Sequence, residues 1–392
     1  MINLNGLRRA GAFPVFAVFF CEAFVLGNWI PRIPDVKAQF GLSASDLGLA
    51  LFVISAGTLV SFTFSGALVR AIGLKHGNML ANPLWALFIG LAPLMPDFAS
   101  LCGVLLLAGI SVGVQEVAMN TAAEEVTKRS SVEIMSRSHG CWSLGSLVGA
   151  LVGAGFAWAG FDPAAHFAIA MPLAFAMGVT AGWFIKNRAV PDIADGGGLP
   201  FKLPSRSMMA LCVMPIGIML VEGAFIDWSA VFVKSVLEGG PVAIGLIYAA
   251  FSLVMAATRL SGDALLERFG PLRVARISAL SAMFGIAVFA LAPNTPTAFI
   301  AAVFSGLGVA ICYPVAVSAA ARRPGNAEDN VAAISMFAFT SFMVAPPLIG
   351  FLADSIGLRI ALLCIVPLAA TSYLLSSELV KGHPSNGQSN SD

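Results

Sequence analysis

The sequence predicts an all-α membrane protein: twelve transmembrane helices in two pseudo-symmetric six-helix bundles. Three observations predict it: an extreme hydrophobicity, a succession of apolar stretches long enough to cross a bilayer, and an internal duplication at a spacing of roughly 195 to 200 residues. Of 392 residues, 58% are hydrophobic and 11% charged, with a mean hydropathy of +0.87. Soluble domains carry about 25% charged residues, so this chain cannot cover a water-facing surface of ordinary size.

Apolar runs of about 20 residues, enough for a hydrocarbon core about 30 Å thick, fall near 12–33, 44–69, 77–95, 99–126, 135–159, 164–185, 208–233, 241–266, 272–292, 296–320, 329–353 and 358–379. The connections are mostly short, which forces consecutive helices to run antiparallel. The exception, 186–207, is rich in Gly, Pro and charge and sits at the midpoint of the repeat. It reads as a cytoplasmic linker between a first bundle (1–185) and a second (208–380), with a polar, disordered tail at 381–392. Pro31/Pro34, Pro314 and Pro346-Pro347 mark kinks or ends. Gly145, Gly149 and Gly153 in the fifth span suit close helix packing.

The duplication is visible in the residues. Gly-Ala-Leu-Val-Arg-Ala-Ile-Gly-Leu-Lys, from Gly66, returns as Gly-Asp-Ala-Leu-Leu-Glu-Arg-Phe-Gly-Pro-Leu-Arg, from Gly262. Asn28-Trp29 returns as Asp227-Trp228, Gly109 as Gly306, and Gly155-Phe156 as Gly350-Phe351. Two similar apolar bundles suggest a carrier that rocks around a central site.

The net charge of +1 gives no argument for nucleic acid. Its distribution is informative: Arg8, Arg9, Arg70, Lys75, Lys128, Arg129, Arg268, Arg273, Arg322 and Arg323 fall on one face, against Arg32, Lys37, Lys234 and Arg359 on the other. This bias places both termini in the cytoplasm. Arg8-Arg9 precedes an apolar stretch with no prompt small-residue cleavage site, so a retained first helix is expected. The cysteines (Cys21, Cys102, Cys141, Cys212, Cys312, Cys364) lie in apolar spans without Cys-x-x-Cys spacing and read as packing residues. No Gly-x-Ser-x-Gly, His-Glu-x-x-His or phosphate-loop pattern occurs, so neither an enzyme, nor a cofactor, nor ATP-driven transport is expected.

These features resemble the major facilitator superfamily. The loop after span eight carries its Gly-x-x-x-Asp-Arg-x-Gly-Arg-type motif as Gly262, Asp263, Arg268, Gly270 and Arg273; the copy after span two has Arg70 and Lys75 but no acid. The resemblance implies the major facilitator fold, a monomer, a small-molecule substrate and a conformational-latch role for Gly262, Asp263, Arg268 and Arg273. Glu116-Val-Ala-Met-Asn120 and His139-Gly-Cys-Trp-Ser-Leu-Gly-Ser-Leu-Val-Gly149 are similar to segments of the fucose-permease branch, and more so to bacterial YbjJ-type carriers. That implies a bacterial inner membrane and a sugar–proton symporter. Where fucose-type permeases carry an aspartate near the outer end of span one, this chain has Asn28-Trp29-Ile30, and its span-one acid is Glu22.

Ionisable groups in mid-bilayer cost roughly 3 kcal/mol or more, so each needs a partner, water or a function. Glu22, Glu116 and Glu222 are the candidate proton-coupling residues. Asn120 lies one turn beyond Glu116 on the same face. Trp29, Trp142, Trp228 and Tyr313 are candidate sugar platforms, and Asn28, Gln115, Asn120, His139 and Asp227 candidate polar contacts. Trp29 and Trp228 fit an interfacial aromatic belt equally well. Glu222 and Asp227 stand about 140° apart around a helix, so one of them at most faces a cavity. Arg259 fits a gate residue paired with an acid. His76, His166 and His383 read as incidental. A proton-coupled importer of a sugar or polyol is the first expectation. A proton-coupled exporter of amphipathic compounds is the second, suggested by Phe24, Phe225, Met219, Phe337 and Phe339.

Overall fold

The computed structural model describes residues 11–130, 134–186, 206–324 and 326–380, together with Leu7, Val132 and Pro204. No strand occurs among the described residues, which are helical almost throughout. Arg8, Arg9, most of the linker expected at 186–207 and the tail expected at 381–392 lie outside them.

Eleven stretches are long and apolar enough to cross a membrane, and one of these is two spans in one. Ala44–Leu94 has 51 residues. As one straight helix it would run about 77 Å, more than twice a hydrocarbon core of about 30 Å. Gly73, at φ 84° and ψ 158°, breaks it into spans two and three. The other spans are Phe13–Gln39 (one), Phe98–Ser130 (four), Met135–Trp158 (five), Pro163–Trp183 (six), Met208–Ser235 (seven), Pro241–Leu260 (eight), Pro271–Leu291 (nine), Thr295–Ala321 (ten), Asp329–Ile356 (eleven) and Leu358–Val380 (twelve). Local chemistry sets their starts. Ser43 and Asp46 form a reciprocal capping box, Asp162 accepts from the Ala165 amide at 2.7 Å, and Asn294 accepts from the Thr297 amide at 3.0 Å.

The left-handed turns register the duplication. Gly41 and Glu238, Gly73 and Gly270, and Gly160 and Gly357 all have positive φ, and each pair is 197 residues apart. The packing repeats in the same register. Gly109 lies against the backbone of Ile54, and Gly306 against that of Phe251. Two interfaces join the first half (spans one to six) to the second. Span two meets span eleven where Gly48 touches Pro346 and Pro347, and span five meets span eight where Gly245 touches Ala150 and Ala154. Gly48 and Gly245 are again 197 apart, as are Ala150 and Pro347. A Cβ on either glycine would strike the facing helix.

Proline interrupts two spans differently. Span ten breaks between Val309 and Cys312, because Pro314 has no N–H for the Ala310 carbonyl and its ring crowds that oxygen. Pro346 and Pro347 instead sit inside a continuous helix, Ala327–Ile356. Their missing N–H groups leave the carbonyls of Phe342 and Met343 without helical donors.

At the Gly41 end the halves are also tied by charge. The Asp354 carboxylate, closing span eleven, accepts the Ala44 amide at 2.9 Å and the Ser45 amide at 2.8 Å at the start of span two. A carboxylate on a helix N-terminus contributes about 1 kcal/mol or less at an exposed site. Asp354→Asn should therefore shift the population away from closure at this end by about fivefold or less. Electron–electron distances between spin labels on exposed Ala38 and Ser355 would gain a longer component; an unchanged distribution would show that the tie is idle.

Candidate functional site

Glu22 and Trp29, seven residues apart in span one, share a helix face. Both line a cavity of about 220 Å³ between the two halves. Span two adds a stripe at helical spacing, Leu51, Ile54, Ser55, Thr58, Leu59 and Phe62. Leu26, Trp85, Val112, Glu116 and Trp142 complete the first half's wall, and Ile226, Asp227, Phe339, Phe342 and Met343 form the second's. Three carboxyls from three spans thus face one space. Among the described residues no Lys, Arg or His lines it.

Two of the three acids have donors. The Trp142 indole donates to the Glu22 carboxylate in a short hydrogen bond, and the Trp85 indole donates to the Glu22 backbone carbonyl at 3.2 Å. Asn120 donates at 2.9 Å both to the Glu116 carboxylate and to the Glu116 carbonyl. Glu22 and Glu116 are close enough for the charge of one to act on the other. Asp227 has no hydrogen-bond or ion-pair partner among the described residues.

Glu222, expected to couple protons, is not on this wall. It is buried and pairs with Arg259 at 3.1 Å. Arg259 also donates from Nε to the Ala310 carbonyl at 3.3 Å. That oxygen is the one Pro314 deprives of a helical donor, so Arg259 joins spans seven, eight and the break in span ten. Arg259 is thus paired with an acid, Glu222.

Several expected substrate contacts are engaged elsewhere. Asn28 is fully buried, donating to the Phe24 carbonyl at 2.8 Å and bonded to His166 Nε2 at 3.0 Å. His166, expected to be incidental, lies in span six, fully buried and stacked on Phe156. Gln115 donates to Asn78 at 3.0 Å within the first half. His139 packs its ring edge against Phe19, and Tyr313 donates to Ser335 at 3.0 Å. Trp228 is fully buried, its indole N–H without a partner among the described residues. The repeat register explains the last case. At 197 residues, Trp29 corresponds to Ile226, and both line the cavity; Trp228 lies two positions, about 200°, further round its helix. Ser55, Thr58, Trp85, Phe342 and Met343 were not singled out from the sequence. The hydroxyls three apart in span two were a legible signal.

Of the motif residues, Gly262 opens a short helix, Gly262–Phe269, that carries Asp263 and Arg268. Gly270, at φ 75°, turns the chain into span nine, where Arg273 lies in the first turn. The Arg268 guanidinium lies 5.2 Å from the Phe269 ring centroid.

Residues 15–329 and 217–390 match the Major Facilitator Superfamily. The chain belongs to that superfamily. It is 32% identical over 374 residues, 93% of this chain and 97% of the other, to an uncharacterised transporter, y4wD, of Sinorhizobium fredii (strain NBRC 101917 / NGR234). It is 29% identical over 356 residues to an uncharacterised MFS-type transporter of Yersinia pestis, covering 90% of this chain and 91% of that one. Among solved structures, the nucleoside transporter NupG superposes with a TM-score of 0.69 at 14% identity, covering 94% of this chain and 97% of that one. The transporter FucP in its outward conformation gives 0.64 at 16% identity, covering 93% and 97%. This major facilitator protein is a multi-pass membrane transporter of the secondary class, and not an enzyme.

Arg259→Ala would leave Glu222 buried without its cation and the Ala310 carbonyl without its donor. Breaking a buried pair from one side costs about 3–5 kcal/mol, and partial exposure of Arg259 puts this case at the lower end. Thermal unfolding in detergent should show a clear loss, partly recovered by Arg259→Met with Glu222→Leu, which removes the unpaired acid but leaves the Ala310 carbonyl without its donor. A silent single variant would remove the structural role.

Proposed function

We propose that this transporter imports a small polyhydroxylated solute, a sugar or polyol, together with protons across a bacterial inner membrane, with both termini in the cytoplasm. One observation carries the reading: Glu22 and Glu116 share a single cavity with Trp29, Trp85 and Trp142. Indole faces suit the C–H faces of a sugar ring, and Ser55 and Thr58 offer hydroxyls. Glu22 and Glu116 each have a neutral donor, from Trp142 and Asn120, so each can exchange a proton while staying in place.

The volume supports a small cargo. A cavity of about 220 Å³ falls below the roughly 300–1,000 Å³ of drug-sized ligand sites. The apolar residues that suggested an exporter of amphipathic compounds lend it little. Phe24, Phe225 and Met219 are buried in the helix-packing core, and of that set Phe339 reaches the cavity. Two proteins that share the fold are named for small polar solutes, a nucleoside transporter and the E. coli fucose:proton symporter.

The test uses proteoliposomes that enclose a pH-sensitive dye. External addition of the transported hexose or polyol should acidify the lumen. Glu116→Gln and Glu22→Gln should each reduce that acidification at least about tenfold, the loss expected when a proton carrier becomes an isostere that cannot ionise. Undiminished acidification in both variants would remove these carboxyls from coupling. Lumen alkalinisation driven by amphipathic cations would turn the reading to export.

A further inference from the structure

Resting on that reading of the cavity, we infer that the wall contributed by the second half is a seat for a primary ammonium group, so that the transported solute carries an amine beside its hydroxyls.

The side chains of this wall are Ile226, Asp227, Phe339, Phe342 and Met343. None brings an N–H or O–H donor apart from a proton on Asp227 itself. Acceptors, by contrast, accumulate. Asp227 presents a carboxylate without a partner among the described residues, whereas Glu22 and Glu116 each have one. The Phe342 and Met343 carbonyls lack helical donors, because residues 346 and 347 are prolines. The cation on the neighbouring span, Arg259, is committed to Glu222 and Ala310.

A neutral sugar brings donors and acceptors in similar number. A primary ammonium brings three donors, no acceptor and a positive charge, which is what this wall lacks. Two aromatic side chains, Phe339 and Phe342, lie on the same wall, and aromatic rings attract cations that meet their faces. An ionised carboxylate shielded from water without a counter-charge is costly, so cargo that supplies one gains the difference on binding.

The repeat separates this from a packing requirement. In the 197-residue register, Asp227 stands opposite Ile30, and Pro346-Pro347 opposite Gly149-Ala150. Both bundles fold, yet the acid and the prolines occur in one. The fold itself does not require them.

The experiment measures binding by the full chain in lipid nanodiscs, using matched pairs: glucosamine and glucose, galactosamine and galactose, 1-amino-1-deoxysorbitol and sorbitol. N-acetylglucosamine serves as the neutral control of similar shape. At least one amine should bind about tenfold or more tighter than its neutral twin, equivalent to about 1.4 kcal/mol. Asp227→Asn should reduce that preference to within about threefold. Pro347→Ala, which returns a helical donor to the Met343 carbonyl and keeps Asp227, should reduce it about threefold and guards against a folding defect in the first variant.

Equal binding of the twins, equal losses for both in Asp227→Asn, or no amine bound at all would each overturn the inference. If neutral polyols then moved with protons, the proposed function would stand without the amine seat. If no polar solute of either kind moved, both would fall.

Discussion

Close backbone contact at paired glycines holds this protein together, because lipid gives apolar helix faces no reason to prefer one another. Gly48 and Gly245 are two places where the halves meet closely, one against span eleven and the other against span five. The same register relates the contacts within each half, Gly109 on Ile54 and Gly306 on Phe251. The duplication is therefore a repeat of contacts as well as of sequence. The central space is what remains between bundles hinged along these two seams.

Chemistry enters where the repeat is broken. Glu22 and Glu116 belong to the first half, and their counterparts in register are Met219 and Tyr313. Arg259 corresponds to Phe62, a cavity residue, yet it turns to Glu222 and to the carbonyl that Pro314 frees. A backbone acceptor without a donor is expensive in a bilayer, so a proline break in span ten requires a compensating donor nearby. Arg259 is that donor. This accounts for a charged pair in the membrane without assigning it to transport.

The fold was legible because hydropathy needs only length and composition, and twelve apolar runs leave few architectures. The loop segments from Gly66 and Gly262 and the match of Gly109 with Gly306 carried the duplication. The cavity lining was legible at Glu22, Glu116, Trp29, Trp142 and Asp227, where polar or aromatic groups interrupt spans facing the centre. It was misread at Asn28 and Gln115, which satisfy His166 and Asn78 inside the first half. Sequence shows that a buried amide needs a partner, but not whether that partner is cargo or a neighbouring helix. Trp228 was misplaced for a different reason. Matching Trp29 by identity set the register two residues out, and two residues on a helix turn a cavity residue into a core one.

Span eleven connects the cavity wall to the seam between the halves. Pro346 and Pro347 press on Gly48 at the seam between the halves, while one turn earlier Phe342 and Met343 line the cavity and have carbonyls that those same prolines leave without a helical donor. Further along the helix, Asp354 caps span two. A solute that draws on the freed carbonyls therefore pulls on the helix that forms the seam and carries the cap. A rigid helix transmits such a shift along its length, whereas the equivalent span five, with Gly149-Ala150 in place of the prolines, presents no free carbonyl to be drawn. On the inferred amine seat, the asymmetry that shapes the cavity wall would make the seam of span eleven, and not that of span five, the one that responds to cargo.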